Sequence, residues 1–180
     1  KTLVATANHT SGTVSLVQLA TGKVLYEIAV GRRPVDVAWW NASTVLVSLL
    51  DDDAVAVLSW QHNRLELTRT IPVGDAPRGL AIVGPEASHP GTPGQTPPRA
   101  FVALSGHDAI AELDVAAGRV LRRFPTGGQP GWLTPTPNHR WLVACANVPG
   151  EVWVHDIATG KKLSRRTIFD DGFNLGRPVV

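Results

Sequence analysis

One kind of hairpin turn recurs along this chain, and it constrains the fold more than any other feature. Ala20-Thr21-Gly22-Lys23, Ala116-Ala117-Gly118-Arg119 and Ala158-Thr159-Gly160-Lys161 follow alternating runs at Val14 to Leu19, Ile110 to Val115 and Val152 to Ile157. A second apolar run follows each turn. Alternation on both sides of a Gly-bearing turn marks a β-hairpin, with Gly at the position that needs positive φ. A fourth copy is degenerate: Ala54 to Trp60 alternates, but Gln61-His62-Asn63-Arg64 carries Asn63 where the others have Gly. Asn is the next residue most tolerant of left-handed backbone.

A second element recurs between these hairpins. Val30-Gly31-Arg32-Arg33-Pro34, Val73-Gly74-Asp75-Ala76-Pro77 and Thr126-Gly127-Gly128-Gln129-Pro130 all place Gly three residues before Pro. Gly turns the chain out of one strand and Pro presets entry to the next, which makes a rigid connector. A weaker copy, Gly176-Arg177-Pro178-Val179-Val180, is one residue shorter.

The turn positions 22, 63, 118 and 160 are separated by 41, 55 and 42 residues. The long interval contains Gly84 to Arg99, where five Pro and three Gly occupy half of sixteen positions. Pro removes ladder donors, so this stretch reads as a loop inserted into one repeat. Without it the period returns to the scale of a four-stranded propeller blade.

The expected architecture is therefore all-β: a β-propeller of four-stranded antiparallel blades, with about four blades present. The repeats fall at about 1–34, 35–77, 78–130 and 131–178, with the inserted loop at 84–99 and a further blade opening at 179–180. In the second repeat the strands run approximately over Val35–Trp39, Thr44–Leu49, Ala54–Ser59 and Leu65–Ile71. The first repeat lacks its opening strand, because Lys1 falls just before Leu3 to Ala7. Starting at Lys1 and holding no Met, the 180 residues read as a piece of a longer protein.

Composition excludes several alternatives. With 43% hydrophobic and 18% charged residues, the chain is not disordered by charge. Its 17 Gly and 14 Pro have no three-residue period, which excludes collagen. No apolar run approaches the roughly 18 residues of a membrane-spanning helix. A formal charge of +2, with basic residues scattered in short pairs, points to no nucleic acid and no anionic membrane. Cys145 is alone, so it forms no internal disulfide or thiolate cluster and reads as a small buried hydrophobe.

The run from Ser11 to Trp39 resembles the YVTN-type β-propeller repeat of bacteria and archaea. The landmarks are Ala7-Asn8, Thr13-Val14-Ser15-Leu16, Ala20-Thr21-Gly22-Lys23 and the Val30 to Pro34 connector. The fourth repeat matches at Ala146-Asn147, Val152 to Ile157 and Thr159-Gly160-Lys161. The second departs most, with Asp51-Asp52-Asp53 replacing the Asn-bearing turn. The resemblance implies a propeller of about seven blades, of which this is roughly half. It also implies a periplasmic or extracellular protein, in some relatives joined to a c-type cytochrome domain.

In such a fold the turns between second and third strands share one face with the connectors. That face would collect Asn8, His9, Arg32, Arg33, Asp51, Asp52 and Asp53, then Asp75, Arg78, His107, Asp108, Asn147 and Arg177. Trp132, just after a connector, is placed to face the central channel. These are the candidate binding residues. The Asp51-Asp52-Asp53 triplet supplies oxygens suited to calcium but lacks the Gly and distal Glu of an EF-hand, and a solvated turn fits it better. The six His form no zinc-protease spacing, and the six Trp fit packing between blades better than a cofactor box. No nucleophile elbow, phosphate loop, dinucleotide fingerprint or Cys-x-x-Cys-His is present.

No catalytic residue, metal ligand or cofactor is expected within this segment; haem c in a flanking domain is compatible with the resemblance. The expected function is a non-catalytic scaffold whose loop-rich face meets a protein, a surface polymer or a neighbouring redox domain. The alternative is part of a propeller enzyme, lactonase-like or a periplasmic dehydrogenase or reductase, with its catalytic residues elsewhere.

Overall fold

The computed structural model describes residues 2–84, 98–146, 148, 150–168 and 177. Asn147, Val179, Val180 and most of the inserted loop lie outside the described residues. Every regular element among the described residues is a β-strand.

The first sheet has three strands, β1 (Leu3–Asn8), β2 (Thr13–Gln18) and β3 (Lys23–Ala29). The second has four: β4 (Pro34–Asn41), β5 (Thr44–Leu49), β6 (Ala54–Gln61) and β7 (Arg64–Pro72). The third holds β8 (Pro77–Val83), β9 (Arg99–Leu104), β10 (Ala109–Asp114) and β11 (Arg119–Pro125). The fourth holds β12 (Pro130–Pro135), β13 (Trp141–Ala146), β14 (Glu151–Asp156) and β15 (Lys162–Thr167). Each sheet is an antiparallel meander in chain order, and among the described residues the first has three strands where the others have four.

The turn glycines sit where the chain needs left-handed backbone: φ is 66° at Gly22, 73° at Gly118 and 75° at Gly160. Asn63 takes the same region at 58°, but with His62 it forms a two-residue loop between β6 and β7. Two successive positive φ values give the type I′ geometry that matches strand twist. A register shift recurs in the last strand pair of each sheet, after Leu16, Val57, Glu112 and Val154. One extra residue there increases the local twist each blade needs.

The core lies between sheets. Val45, Val47 and Leu49 of β5 pack with Val14 and Leu16 of the first sheet. Leu46, Val55 and Val57 turn the other way, onto Leu80, Val102 and Leu113 of the third. Phe101 and Ile110 then meet Leu133, Leu142 and Trp153 of the fourth. The middle sheets are thus covered on both faces, which explains their long apolar runs. None of the extensive strand contacts joins the first sheet to the fourth, so the described blades form an arc. Every residue of β15, the last strand of that arc, is exposed.

Candidate functional site

The end of the arc that carries the connectors is built by one repeated joint. At Gly31, Gly74 and Gly127 φ is 142°, 102° and 106°, values that side-chain-bearing residues rarely adopt. A Cβ on Gly31 would lie 2.5 Å from Asp52 Oδ2, and one on Gly74 would lie 2.9 Å from His107 Cε1. A Cβ on Gly127 would meet nothing within 4 Å among the described residues, whereas Gly31 and Gly74 leave room for a turn side chain of the following blade. The next residue then donates its backbone N–H to that side chain: Arg32 to Asp52 Oδ2 at 2.6 Å, and Asp75 to His107 Nδ1 at 2.9 Å. Because His107 Nδ1 accepts, its neutral ring carries the proton on Nε2.

A second joint uses backbone alone. The N–H groups of Val30, Val73, Thr126 and Ile168 donate to the carbonyls of Gly12, Asp53, Asp108 and Gly150. The four acceptor residues all have positive φ, which aims their carbonyls toward the outermost strand. Asp53 and Asp108 therefore serve this joint through the backbone, and Asp53 Oδ1 also accepts the N–H of Ala76 at 3.1 Å.

Two carboxylates of the acidic triplet are paired with arginines, while Asp51 and Asp53 stay exposed to solvent. Arg32 Nε reaches Asp52 Oδ1 at 2.6 Å, and Arg33 Nη1 reaches Asp51 Oδ1 at 3.0 Å. Arg33 Nε also approaches His9 Nε2 at 3.5 Å, so His9, Arg33 and Asp51 form a chain across two blades. The Arg32 backbone N–H, then its guanidinium, hold the Asp52 carboxyl below its usual range. Among the described residues no group of His, Cys, Asp and Glu is placed to hold a metal ion. Asn8, next to His9, donates its amide to Thr13 and Ser15 at 2.9 and 2.7 Å, which orders the first turn.

Nearer the axis stand Asp36, Arg78, Trp132 and Arg177. Asp36 accepts the Leu80 N–H at 2.8 Å and forms an ion pair with Arg177. The Arg177 guanidinium lies over the Trp132 ring, 5.4 Å from its centroid. Gly79 makes the space for Trp132, since a Cβ there would come within 2.8 Å of Trp132 Cα. Arg78 Nε is buried and has no hydrogen-bond partner among the described residues. The structure thus groups Asn8, His9, Arg33 and Asp51 at the rim, and Trp132 with Arg177 inside.

Two polar features escaped the sequence reading. Asp36 is an ordinary strand residue by pattern, and only the approach of β8 and Arg177 gives it a role. Glu112 is buried in β10 and bonds Arg99 and Arg122, each at 2.6 Å. Burial pushes its pKa up, but the two guanidinium groups outweigh that and hold it below the ordinary value. Cys145 is buried, and burial pushes its thiol up, away from reactivity.

No protein-family model matches the chain, and no curated protein sequence matches it. Among solved structures it is similar to hydrazine synthase of Kuenenia stuttgartiensis, with 25% identity and a TM-score of 0.77 over 93% of this chain and 46% of that one. A functionally unknown protein from Desulfotomaculum acetoxidans shows 14% identity and a TM-score of 0.70, covering 89% of this chain and 51% of that one. The WD40 β-propeller domain of Doa1 shows 16% and 0.71, covering 93% and 51%. The chain spans about half the length of each of these structures. Its fold is the β-propeller fold.

Proposed function

We propose that this chain is a non-catalytic binding module of the YVTN-type propeller class, which presents its connector face to a partner. The observation that carries this is the state of the charged residues there. Arg32 remains 73% exposed while Asp52 fixes it, and Arg33 remains 49% exposed while Asp51 fixes it. Exposed side chains already held in one geometry lose little freedom on binding, which favours recognition. Asn8, His9, Asp53, Arg78, His107, Asp108, Trp132, Asn147 and Arg177 belong to the same proposed surface. In this reading the whole protein is a larger, closed propeller outside the cytoplasm, and its partner is a protein, a surface polymer or an adjoining c-type cytochrome domain.

Carboxylate-directed cross-linking of the native protein in its cell envelope tests the face. Cross-links to a partner at Asp51, Asp75 or Asp108 are expected. Cross-links confined to Glu66 and Asp114, at the other end of the blades, would overturn it. The visible spectrum and intact mass of the native protein separate the partner classes: a haem band selects the cytochrome, and a blank spectrum removes it.

A second reading, as part of an enzyme assembly, is favoured by the 25% likeness to hydrazine synthase. It requires a haem-attachment motif or a cluster of channel-facing His, Arg and Glu outside this segment.

A further inference from the structure

The opposite end of the arc holds a cavity of about 950 Å³, near the upper end for ligand sites. All four sheets line it. Trp39, Trp40 and Trp60 come from the second sheet and Leu3 from the first. Ile82 and Pro98 come from the third, and Pro135 from the fourth. The indoles are only half-buried, although Trp39 and Trp60 rest on one core cluster and Trp40 on the next. Trp40 is fixed by donating its Nε1–H to the Pro98 carbonyl at 2.7 Å, and Trp60 stands edge-on to Tyr26 at 5.5 Å.

The chemistry of the wall narrows the ligand. Among the described residues no Asp, Glu, Lys or Arg lines it, so a charged ligand would lose hydration there without compensation. The polar side chains are unbalanced toward donors. Asn41 Oδ1 is taken up by the backbone N–H and hydroxyl of Ser43, at 2.9 and 3.3 Å, which leaves the Asn41 amide N–H₂. Thr136 Oγ1 donates to Asn138 Oδ1 at 2.7 Å and accepts the Trp141 N–H at 3.1 Å. The indole N–H groups of Trp39 and Trp60 have no partner among the described residues. Thr2 and His139 each add both a donor and an acceptor.

We propose that this cavity is a second binding site, which takes a proline-rich extended segment of a partner protein. A polyproline stretch offers carbonyl acceptors and no N–H, the complement of a wall whose side chains have donors to spare. Its pyrrolidine rings pack on flat aromatic faces, and its backbone is already extended, so little order is lost on docking. A neutral sugar fits the indoles as well, but its many hydroxyls bring more donors than the acceptors of Thr2 and His139 can take up. The site lies at the far end of the blades from the connector face and does not depend on the reading of that face.

The test is a titration of the intact protein, ¹⁵N-labelled at its tryptophan indoles, with N-acetyl decaproline amide and separately with cellohexaose. Single Trp→Phe variants assign the signals. The peptide is expected to shift the Trp39 and Trp60 indole signals, and Trp60→Phe, which keeps the ring face but loses the donor, to weaken binding about fivefold. Trp39→Phe provides the same comparison if Trp60→Phe does not fold. Indole signals unmoved by millimolar peptide, or moved more by cellohexaose, would overturn the assignment.

Discussion

Asn63 sits at φ 58° in a loop of two residues, whereas the equivalent turns are longer and carry Gly at or next to their last position. A β-branched side chain in left-handed backbone costs about 1–2 kcal/mol, and Gly costs nothing sterically. Asn63→Val is therefore expected to lower stability by that amount and Asn63→Gly to leave it unchanged or raise it slightly, as read from urea midpoints. This position was legible in the sequence because φ is a local property and the residue types that tolerate it are few. The acidic triplet was not. From the sequence Asp51, Asp52 and Asp53 read as a solvated turn or an incomplete cation site, because Arg32 and Arg33 come near Asp52 and Asp51 only once β4 lies beside β5, with Pro34 opposite Leu49.

Between elements, one position of the outermost strand fastens each blade to the hairpin of its successor. Counting back from the connector, Tyr26, Arg69 and Arg122 occupy equivalent places in β3, β7 and β11. Tyr26 meets the Trp60 ring, Arg69 Nη1 donates to Ala116 O at 2.9 Å, and Arg122 Nη1 donates to Ala158 O at 2.9 Å. The two arginines differ in what else they hold. Arg69→Ala removes one carbonyl bond at a surface and is expected to cost about 1 kcal/mol. Arg122→Ala also takes a partner from buried Glu112 and leaves it to Arg99 alone, so about 2 kcal/mol is expected. Equal losses in parallel denaturant titrations would mean that Glu112 gains nothing from its second guanidinium. Strand order and connector positions were readable because alternation and Gly/Pro spacing are written along the chain. The Glu112 triad was not, since it joins β9, β10 and β11 to the Ile157 carbonyl of the next blade.

For the whole arc, the weakest polar accounting lies between the third and fourth sheets. His155 is fully buried there, stacked on Phe124, with Nδ1 facing the Gly160 carbonyl at 3.4 Å and Nε2 without a partner among the described residues. Burial pushes its pKa below 6.5, and Lys162 adds to that, against a smaller opposing effect from the Gly160 carbonyl. A base with a lowered folded-state pKa stabilises the fold above its unfolded value, and the contribution disappears as pH falls through the folded value. Melting temperature is therefore expected to hold above pH 6.5 and to decline below it. His155→Phe should flatten that decline until the carboxylates begin to titrate near pH 4. An unchanged slope in the variant would show that His155 does not govern it. Fold class and blade order could be read from repetition, while the cavity tryptophans looked like blade packing, because a cavity needs all four sheets at once.

The third sheet has a further consequence, in how the chain leaves and rejoins it. Val83 pairs with Arg99 in register, and a Cβ on Gly84 would come within 2.9 Å of Pro98 Cα. The two ends of the excursion thus touch, and the sheet sees the same stem whatever lies between them. Closing such a loop costs entropy that grows only with the logarithm of its length, about 0.6 kcal/mol per doubling. The edge of this blade is therefore a docking port in the genetic sense, where a whole foreign domain with neighbouring termini can be spliced in without disturbing the ladder.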